Sequence, residues 1–335
     1  MRKVIFSGRI SGSEGDGVEG QSYSLGYRIK NVLRVAYTLP FVIASVVGVA
    51  FALTQKSDWL LAFLIPLDVF FLALFVNISN DYFDHRSGTD KVRFSMIDKA
   101  FDAGQAGKIS QKIYWQGNSF DRGLISDRGG KMLITGIAIA AGLIAIPIIL
   151  SGGILVIIMG AIAFGLSYFY SAPPLILGSR GLGEFDVGLS FALIAFFSYY
   201  VMATQFSWTM VLIATAVGIS VAMMRVVDEM SGMEAHKIAG EKDLVVRLGI
   251  DGATRLLIVA YAIMYVLAAV LTFINLTFIL LFLTVPLAYR AIKPLRKKVG
   301  EFWIVEPVVQ VFGLALAQML LVIVALILQT VLTSV

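Results

Sequence analysis

Nine apolar runs, each near the ~20 residues a helix needs to cross a bilayer, constrain this chain more than any other feature. They cover about Val35–Thr54, Trp59–Ser79, Met132–Leu150, Ile154–Tyr170, Asp186–Thr204, Trp208–Met224, Leu256–Phe273, Leu276–Tyr289 and Val308–Val331. The fourth and eighth are short. The expected fold class is all-α: a polytopic membrane protein of about nine transmembrane helices. Composition agrees, since 58% of residues are hydrophobic and 15% charged, against about 45–50% and 25% in soluble domains. There is no cysteine, which excludes disulfides and thiolate metal sites. Residues 1–33 are polar and lack the apolar core of a secretory signal. They read as a partly flexible cytosolic tail, with Tyr23 to Arg34 as an amphipathic lead-in to a helical domain over 34–335.

The basic residues then orient the helices. Of the 27 Lys and Arg, all but Lys56 fall in the tail or in the stretches 83–131, 171–185, 225–255 and 290–307. These follow the even-numbered spans. The positive-inside rule therefore places the N-terminus and those segments, including cytosolic loops 83–131 and 225–255, in the cytoplasm of a multi-pass cell-membrane protein. The net charge of +5 needs no nucleic-acid partner to explain it.

Most polar chemistry gathers on that side. Asn77-Ile-Ser-Asn80-Asp81-Tyr-Phe-Asp84 stands where the second span meets a charged stretch ending in Asp90. Ionisable groups at such depth are costly and mark function by default. Helical continuation puts Asn77, Asp81 and Asp84 at i, i+4 and i+7 on one face. Hard oxygen ligands on one face, open to a phosphate-bearing substrate, suit Mg²⁺. Arg86, Lys91, Arg93, Lys108, Lys112, Arg122 and Arg128 follow in the next segment. They could clamp a metal-bridged polyanion or contact anionic headgroups.

A second region runs from Arg225 through Asp228, Glu229, Gly232, Glu234, His236 and Lys237 to Asp243. Continuing the sixth helix puts Arg225, Glu229, Gly232 and His236 on one stripe, with Asp228 and Glu234 off it. Such an acidic helix end suits metal–phosphate work, and equally suits a solvated loop. Tyr170-Ser171-Ala-Pro-Pro closes the fourth span, where prolines stop a helix and two hydroxyls could be aimed at a cavity. Gly178 to Gly183 follows no strand, so it is a poor nucleotide loop. Asp68, in the middle of the second span, either lines a polar interior cavity or pairs with another helix.

These residues resemble the UbiA superfamily of intramembrane prenyltransferases, nearest to its 1,4-dihydroxy-2-naphthoate branch. The resemblance is carried by Arg34…Thr38-Leu39-Pro40, by Asn80-Asp81-Tyr-Phe-Asp84…Gly88-Thr89-Asp90, by Tyr170-Ser-Ala-Pro-Pro with Gly181-Leu-Gly-Glu184, and by Leu244-Val-Val-Arg247-Leu-Gly249. It implies nine helices around a central cavity and two aspartate-rich motifs that hold Mg²⁺ on the diphosphate of a prenyl donor. An aromatic or lipid acceptor would then be alkylated in the membrane. The implied metal ligands are Asn80, Asp81, Asp84, Asp90, Asp228, Glu229, Glu234 and His236. Asn77, Asn80, Arg34, Lys91, Arg93, Arg122 and Lys237 are the diphosphate contacts, and Asp81, Asp84, Tyr170 and Ser171 the catalytic groups.

The chain departs from that pattern at one place. Alignment through Lys237, Gly240 and Leu244–Gly249 puts the second motif's aspartates at positions 232 and 236, where this sequence has Gly232 and His236. Loss of two carboxylates should weaken divalent binding, and imidazole is a poor ligand for Mg²⁺. An active prenyltransferase with an altered metal site and a non-catalytic prenyl-lipid-binding relative are thus the two leading expectations. A transporter ranks below both, because transporter sites usually lie near the midplane.

Overall fold

The computed structural model describes residues 24–88, 118–171, 174–238, 242–298, 304 and 306–333. Ten α-helices account for most of them. A short α1 (Leu25–Leu33) precedes α2 (Val35–Leu53), α3 (Trp59–Ser87), α4 (Asp127–Gly152) and α5 (Ile154–Ser171). After a 3₁₀ turn at Leu177–Arg180 come α6 (Gly183–Ala203), α7 (Trp208–Ile238) and α8 (Leu244–Ile274). A 3₁₀ stretch at Leu276–Thr284 leads into α9 (Val285–Lys297), and α10 (Glu306–Thr333) follows. Among the described residues, eight helical segments are long and apolar enough to span a bilayer, and Ile154–Tyr170 is a shorter apolar one. The nine expected spans are all present, and none of the described residues is in a strand.

Local chemistry sets the ends. Ser24 caps α1, its hydroxyl accepting the Tyr27 N–H, and Asp58 caps α3 through the Leu61 N–H at 3.1 Å. Asp243 caps α8 through the Val246 N–H at 2.7 Å. Such side-chain oxygens satisfy amides that have no partner in the first turn. Gly88, at φ 75°, ends α3 in the left-handed conformation that glycine adopts without a Cβ penalty.

Two elements differ from the sequence reading. The apolar run ending at Met224 continues as helix to Ile238, and α8 begins at Leu244 rather than near Leu256. Most of the expected loop 225–255 is thus two helix ends. Charged side chains stopped the hydropathy signal but not the helix, because they find partners across the helix ends. Gly249, at φ 67°, kinks α8 one turn after its start, which hid the first turn from a periodicity reading.

Close backbone approaches draw α2, α6 and α7 together. A Cβ added at Gly48 would stand 2.0 Å from the Ala195 carbonyl oxygen, and one at Gly218 would stand 2.5 Å from that of Gly188. Small residues at helix crossings are the usual way membrane helices gain van der Waals contact. The Ser198 hydroxyl adds a 3.0 Å hydrogen bond to Ser45. The outer surface is apolar, with Phe63, Ile139, Leu143 and Val266 exposed, as suits contact with lipid.

Inside, α2, α3, α5 and α6, with Ile148 of α4, surround a cavity of about 150 Å³. Along α3 its wall runs from Ile65 to Val76, about 16 Å at 1.5 Å per residue. Phe41, Phe164 and Phe197 make it greasy, and Asp68 stands in the wall. The Asp68 Oδ1 is buried without a hydrogen-bond partner. Of the two readings of Asp68, the interior cavity is the one observed.

Candidate active site

Helix α3 carries the first motif past the end of the cavity. Val76 lines the cavity, and the next residue, Asn77, has a buried Nδ2 with no hydrogen-bond partner. One turn later Asp81 is 3% exposed. Its Oδ1 lies 3.0 Å from the Arg34 Nη1, and its Oδ2 accepts the Ser119 N–H at 3.2 Å. Asn80 and Asp84 are half-buried. The helix is continuous through Ser87, so Asn77, Asp81 and Asp84 share one face as the spacing required.

A strap of other residues holds this end in place. The Asn118 side chain donates to the Asp81 carbonyl at 2.7 Å, and the Ser119 hydroxyl donates to the Asn31 carbonyl at 3.1 Å. Arg28 donates to the Leu124 carbonyl at 2.9 Å, and Arg122 donates to the Tyr27 hydroxyl at 2.5 Å. Helix α1 is thereby laced to the turn at 118–124 and to α3. Arg34 itself sits at φ 46° between α1 and α2, a left-handed conformation uncommon for a non-glycine residue. His85 contacts Asp121 at 2.6 Å and Asp127 at 3.4 Å. Sequence reasoning missed Asn118, Ser119, Asp121 and His85, because their role depends on a turn returning from 30 or more residues away.

The second cluster is built from α6, α7 and α8. Arg225 brings its Nε within 2.7 Å of the Glu229 Oε1 and its Nη1 within 3.4 Å of the Asp228 Oδ2. Glu229 is fully buried. Its contact with Arg225 is an ion pair out of hydrogen-bond alignment, and the Glu184 carboxyl lies within hydrogen-bonding reach of it. Glu184, in the first turn of α6, accepts the Leu244 N–H at 2.9 Å. Asp243 meets His236 Nδ1 at 2.5 Å. Carboxylate oxygens of Glu184, Glu229 and Asp243 all lie within 4.8 Å of one another. Burial would raise the Asp243 pKa, yet it is held below the ordinary carboxylate value by the His236 hydrogen bond, the Val246 N–H and nearby positive charge.

Around this cluster the glycines have specific work. Gly181, at φ 81°, lies where a Cβ would stand 2.6 Å from the Lys242 carbonyl oxygen, and Arg247 donates to the Arg180 carbonyl at 2.8 Å. The turn before α6 is thus clamped onto the start of α8. Tyr170 covers that turn, its ring 3.1 Å from where a Gly178 Cβ would be. Gly232 makes room for the imidazole about one turn further on, since a Cβ there would stand 3.0 Å from His236 Nε2.

Tyr37 links the two clusters. Tyr37, in the first turn of α2, lies within electrostatic reach of Arg34 and Asp81 and also of Asp228. Tyr170 is within reach of Arg225, Glu229, Asp186 and Asp228. The structure therefore gathers Arg34, Asp81, Asp228, Glu229 and Tyr170 at one end of the bundle, with His236 beside Asp243. Lys237 is exposed, and Arg122 is at the α1 strap. Asp90, Lys91 and Arg93 lie outside the described residues, as do the side chains of Ser171 and Glu234. Glu184 and Asp243 are the residues that the ligand set read from sequence left out. Their signal was positional: one acid in a helix's first turn, the other at an N-cap.

Comparison with known proteins shows the family and the fold. Residues 41–299 match the model of the UbiA prenyltransferase family. The chain is 26% identical over 243 residues to 2-carboxy-1,4-naphthoquinone phytyltransferase of Synechocystis, covering 72% of this chain and 71% of that one. It is 26% identical over 289 residues to 1,4-dihydroxy-2-naphthoate octaprenyltransferase of Mycobacterium leprae, covering 83% and 89%. Its fold is similar to that of digeranylgeranylglyceryl phosphate synthase, with a TM-score of 0.61 at 18% identity over 90% of this chain and 98% of that one. A UbiA homolog from Archaeoglobus fulgidus bound to GPP and Mg²⁺ superposes with a TM-score of 0.56 at 19% identity, covering 89% and 99%. With a family match over most of its length, this chain belongs to the UbiA prenyltransferase family.

Proposed function

We propose that the protein is a membrane prenyltransferase that moves an isoprenyl group from a prenyl diphosphate to an aromatic, quinone-precursor-type acceptor. One observation carries this reading: an apolar cavity wall runs about 16 Å along α3 (about 11 residues at the helical rise) up to Val76, and the next turns of the same helix carry Asn77 and the Arg34-paired Asp81. An amphiphile with a greasy tail and a polyanionic head matches that sequence of environments. The relatives named for naphthoate prenyl transfer support the aromatic acceptor. The charge asymmetry along the chain supports a cytoplasmic active site in the cell membrane.

The residues present fit a divalent cation. Glu229 offers a fully buried carboxylate that Arg225 meets out of hydrogen-bond alignment, so lone pairs remain for an ion. Asn80, Asp84, Asp228 and Glu229 would hold Mg²⁺, with Asp90 and Glu234 as further candidates. Asp81 would join them on release from Arg34. When bound, the ion neutralises charge that develops on the leaving pyrophosphate. Arg34 then turns from Asp81 toward the diphosphate, and the Asn77 amide supplies a donor already lacking a partner. The allylic C1–O bond breaks, pyrophosphate keeps the electron pair, and a carbon of the acceptor ring bonds to C1 and loses its proton. Tyr170, within reach of Arg225 and Glu229, positions the acceptor, with Ser171 beside it in the chain, and the released pyrophosphate takes the proton.

The test is reconstitution of the purified protein with labelled prenyl diphosphates and aromatic acceptors. Mg²⁺-dependent alkylated product is expected. Absence of product together with absence of donor binding overturns the proposal. The altered second motif favours one competing reading, a non-catalytic prenyl-lipid binder, whose signature is tight donor binding without turnover.

A further inference from the structure

We propose that Asp186 selects and orients the acceptor, its carboxylate taking a hydrogen bond from an aromatic hydroxyl held at the mouth of the cavity. The inference rests on the prenyltransferase reading for the identity of the reaction. Asp186 lies in the first turn of α6 and is 5% exposed. Its Oδ1 is buried without a hydrogen-bond partner, a condition that costs the full desolvation of the group. The nearby arginines are engaged elsewhere, Arg225 with Glu229 and Asp228 and Arg34 with Asp81. Nor does Asp186 share the acidic cluster. Glu184 stands two residues earlier, about 200° away around the helix, and accepts the Leu244 N–H.

Helical register gives the direction in which Asp186 faces. Ser190, Ile194 and Phe197 of α6 line the cavity. Asp186 precedes Ser190 on the same stripe, about one turn nearer the polar end. On α5, Ser167 lines the cavity, and Tyr170, about one turn beyond it, lies within electrostatic reach of Asp186. On α3, Val76 lines the cavity and Asn77 follows it with an unpartnered Nδ2. Three helices thus carry a carboxyl, a phenol and an amide just past the end of the apolar wall. In a prenyl diphosphate, C1 lies between the tail and the anionic head, so the acceptor ring must meet it at this level. An ionised carboxyl can only accept, and a ring hydroxyl is the donor it would take. The O–H bond stays intact, while the hydrogen bond raises electron density at the ring carbons ortho and para to that oxygen. One of these bonds to C1. Such a site rejects an analogue without the hydroxyl, because the buried carboxyl is then left unpaired.

The probes are dihydroxynaphthoate and its two mono-O-methyl ethers. Each is titrated into the purified protein in detergent with Mg²⁺ and a non-hydrolysable prenyl diphosphate, and binding is read from naphthalene fluorescence. Prenyl transfer is assayed separately with a reactive donor. At least one ether is expected to bind the wild type about tenfold or more weakly than the parent, the scale of one hydrogen bond to a charged group. Asp186→Leu removes the carboxyl at nearly constant shape and should bring that ratio close to unity, with donor binding unchanged. Asp186→Asn keeps an oxygen acceptor and should retain part of the preference. A merely structural role would weaken all three probes alike and leave the ratio where it was. Wild-type protein that binds both ethers as tightly as the parent, or binds none of the probes, overturns the proposal without any variant having to fold. So does an Asp186→Leu protein that keeps the full preference. A preference lost in Asp186→Leu, with no product from any donor, would leave this contact standing and remove the enzyme reading. Product formation with a preference independent of Asp186 would do the opposite.

Discussion

At the residue scale, Asp81 and Asp84 look equivalent in the sequence and are not equivalent in the structure. Asp81 is buried against Arg34 and the Ser119 amide, whereas Asp84 is half-buried. Removing one member of a buried ion pair leaves its partner uncompensated, typically at about 3 kcal/mol. Asp81→Asn is therefore expected to lower the unfolding temperature as well as activity. Asp84→Asn should cut turnover about a hundredfold, the scale of losing one charge-stabilising group, with little change in unfolding temperature. Parallel melting curves and rate measurements on the two variants check the split. A second residue-scale prediction concerns the departure at 232 and 236. The His236 ring fills the space that a side chain at 232 would need, so the two changes are one event. Gly232→Asp alone should destabilise, and Gly232→Asp with His236→Asp should recover most of the loss. A double-mutant cycle is expected to show coupling of about 1 kcal/mol or more; additive effects would count against it. The sequence announced that these positions were unusual, but only the coordinates show the reason.

At the element scale, what the sequence displayed was hydropathy, and it located all nine spans to within a few residues on most edges. It misjudged α7 and α8, because charged residues from Arg225 onward broke the apolar run while the helix went on. The reason lies in partners that are distant in sequence. Glu184 lies 60 residues from the Leu244 amide it accepts, and no local pattern encodes such a pair. The register that brings these ends together depends on the glycine contact between α6 and α7. A side chain at 218 would meet the Gly188 carbonyl at 2.5 Å from Cβ and would have to push the helices apart. Gly218→Val is thus expected to destabilise by about 1–3 kcal/mol, as overpacking does. It should also lower Mg²⁺-dependent turnover, although it lies about three turns (11 residues) from Glu229 on its own helix. Retained turnover with an unchanged melting temperature would show that this crossing does not set the site.

At the scale of the whole molecule, the apolar cavity wall of α3 leads up to the helix turns that carry the first acidic motif, and its geometry makes a statement about chain length that no motif contains. The wall from Val76 down to Ile65 is lined by α3, and α5 faces it from Ser167 near the mouth to Val156 at depth. Gly160 lies in that α5 wall, and open space surrounds the position its Cβ would take. A phenyl ring there can enter the cavity without striking backbone. It would occupy the deeper half and leave the half beside Asn77 open. If the isoprenoid tail follows this path, Gly160→Phe blocks long tails and spares short ones. Apolar-pocket discrimination for even one missing methylene is worth about 10–200-fold, so a displaced isoprene unit gives a measurable effect. The expected result is a loss of at least about tenfold in kcat/KM with long-chain donors and near-normal rates with the ten-carbon donor. Asp68→Leu, in the same wall, should act in the opposite direction by removing a carboxyl with a buried, unpartnered oxygen from the tail's path. A chain-length profile unmoved by either variant would place the tail elsewhere, against the lipid-facing helices, and would separate the cavity from the chemistry at its mouth.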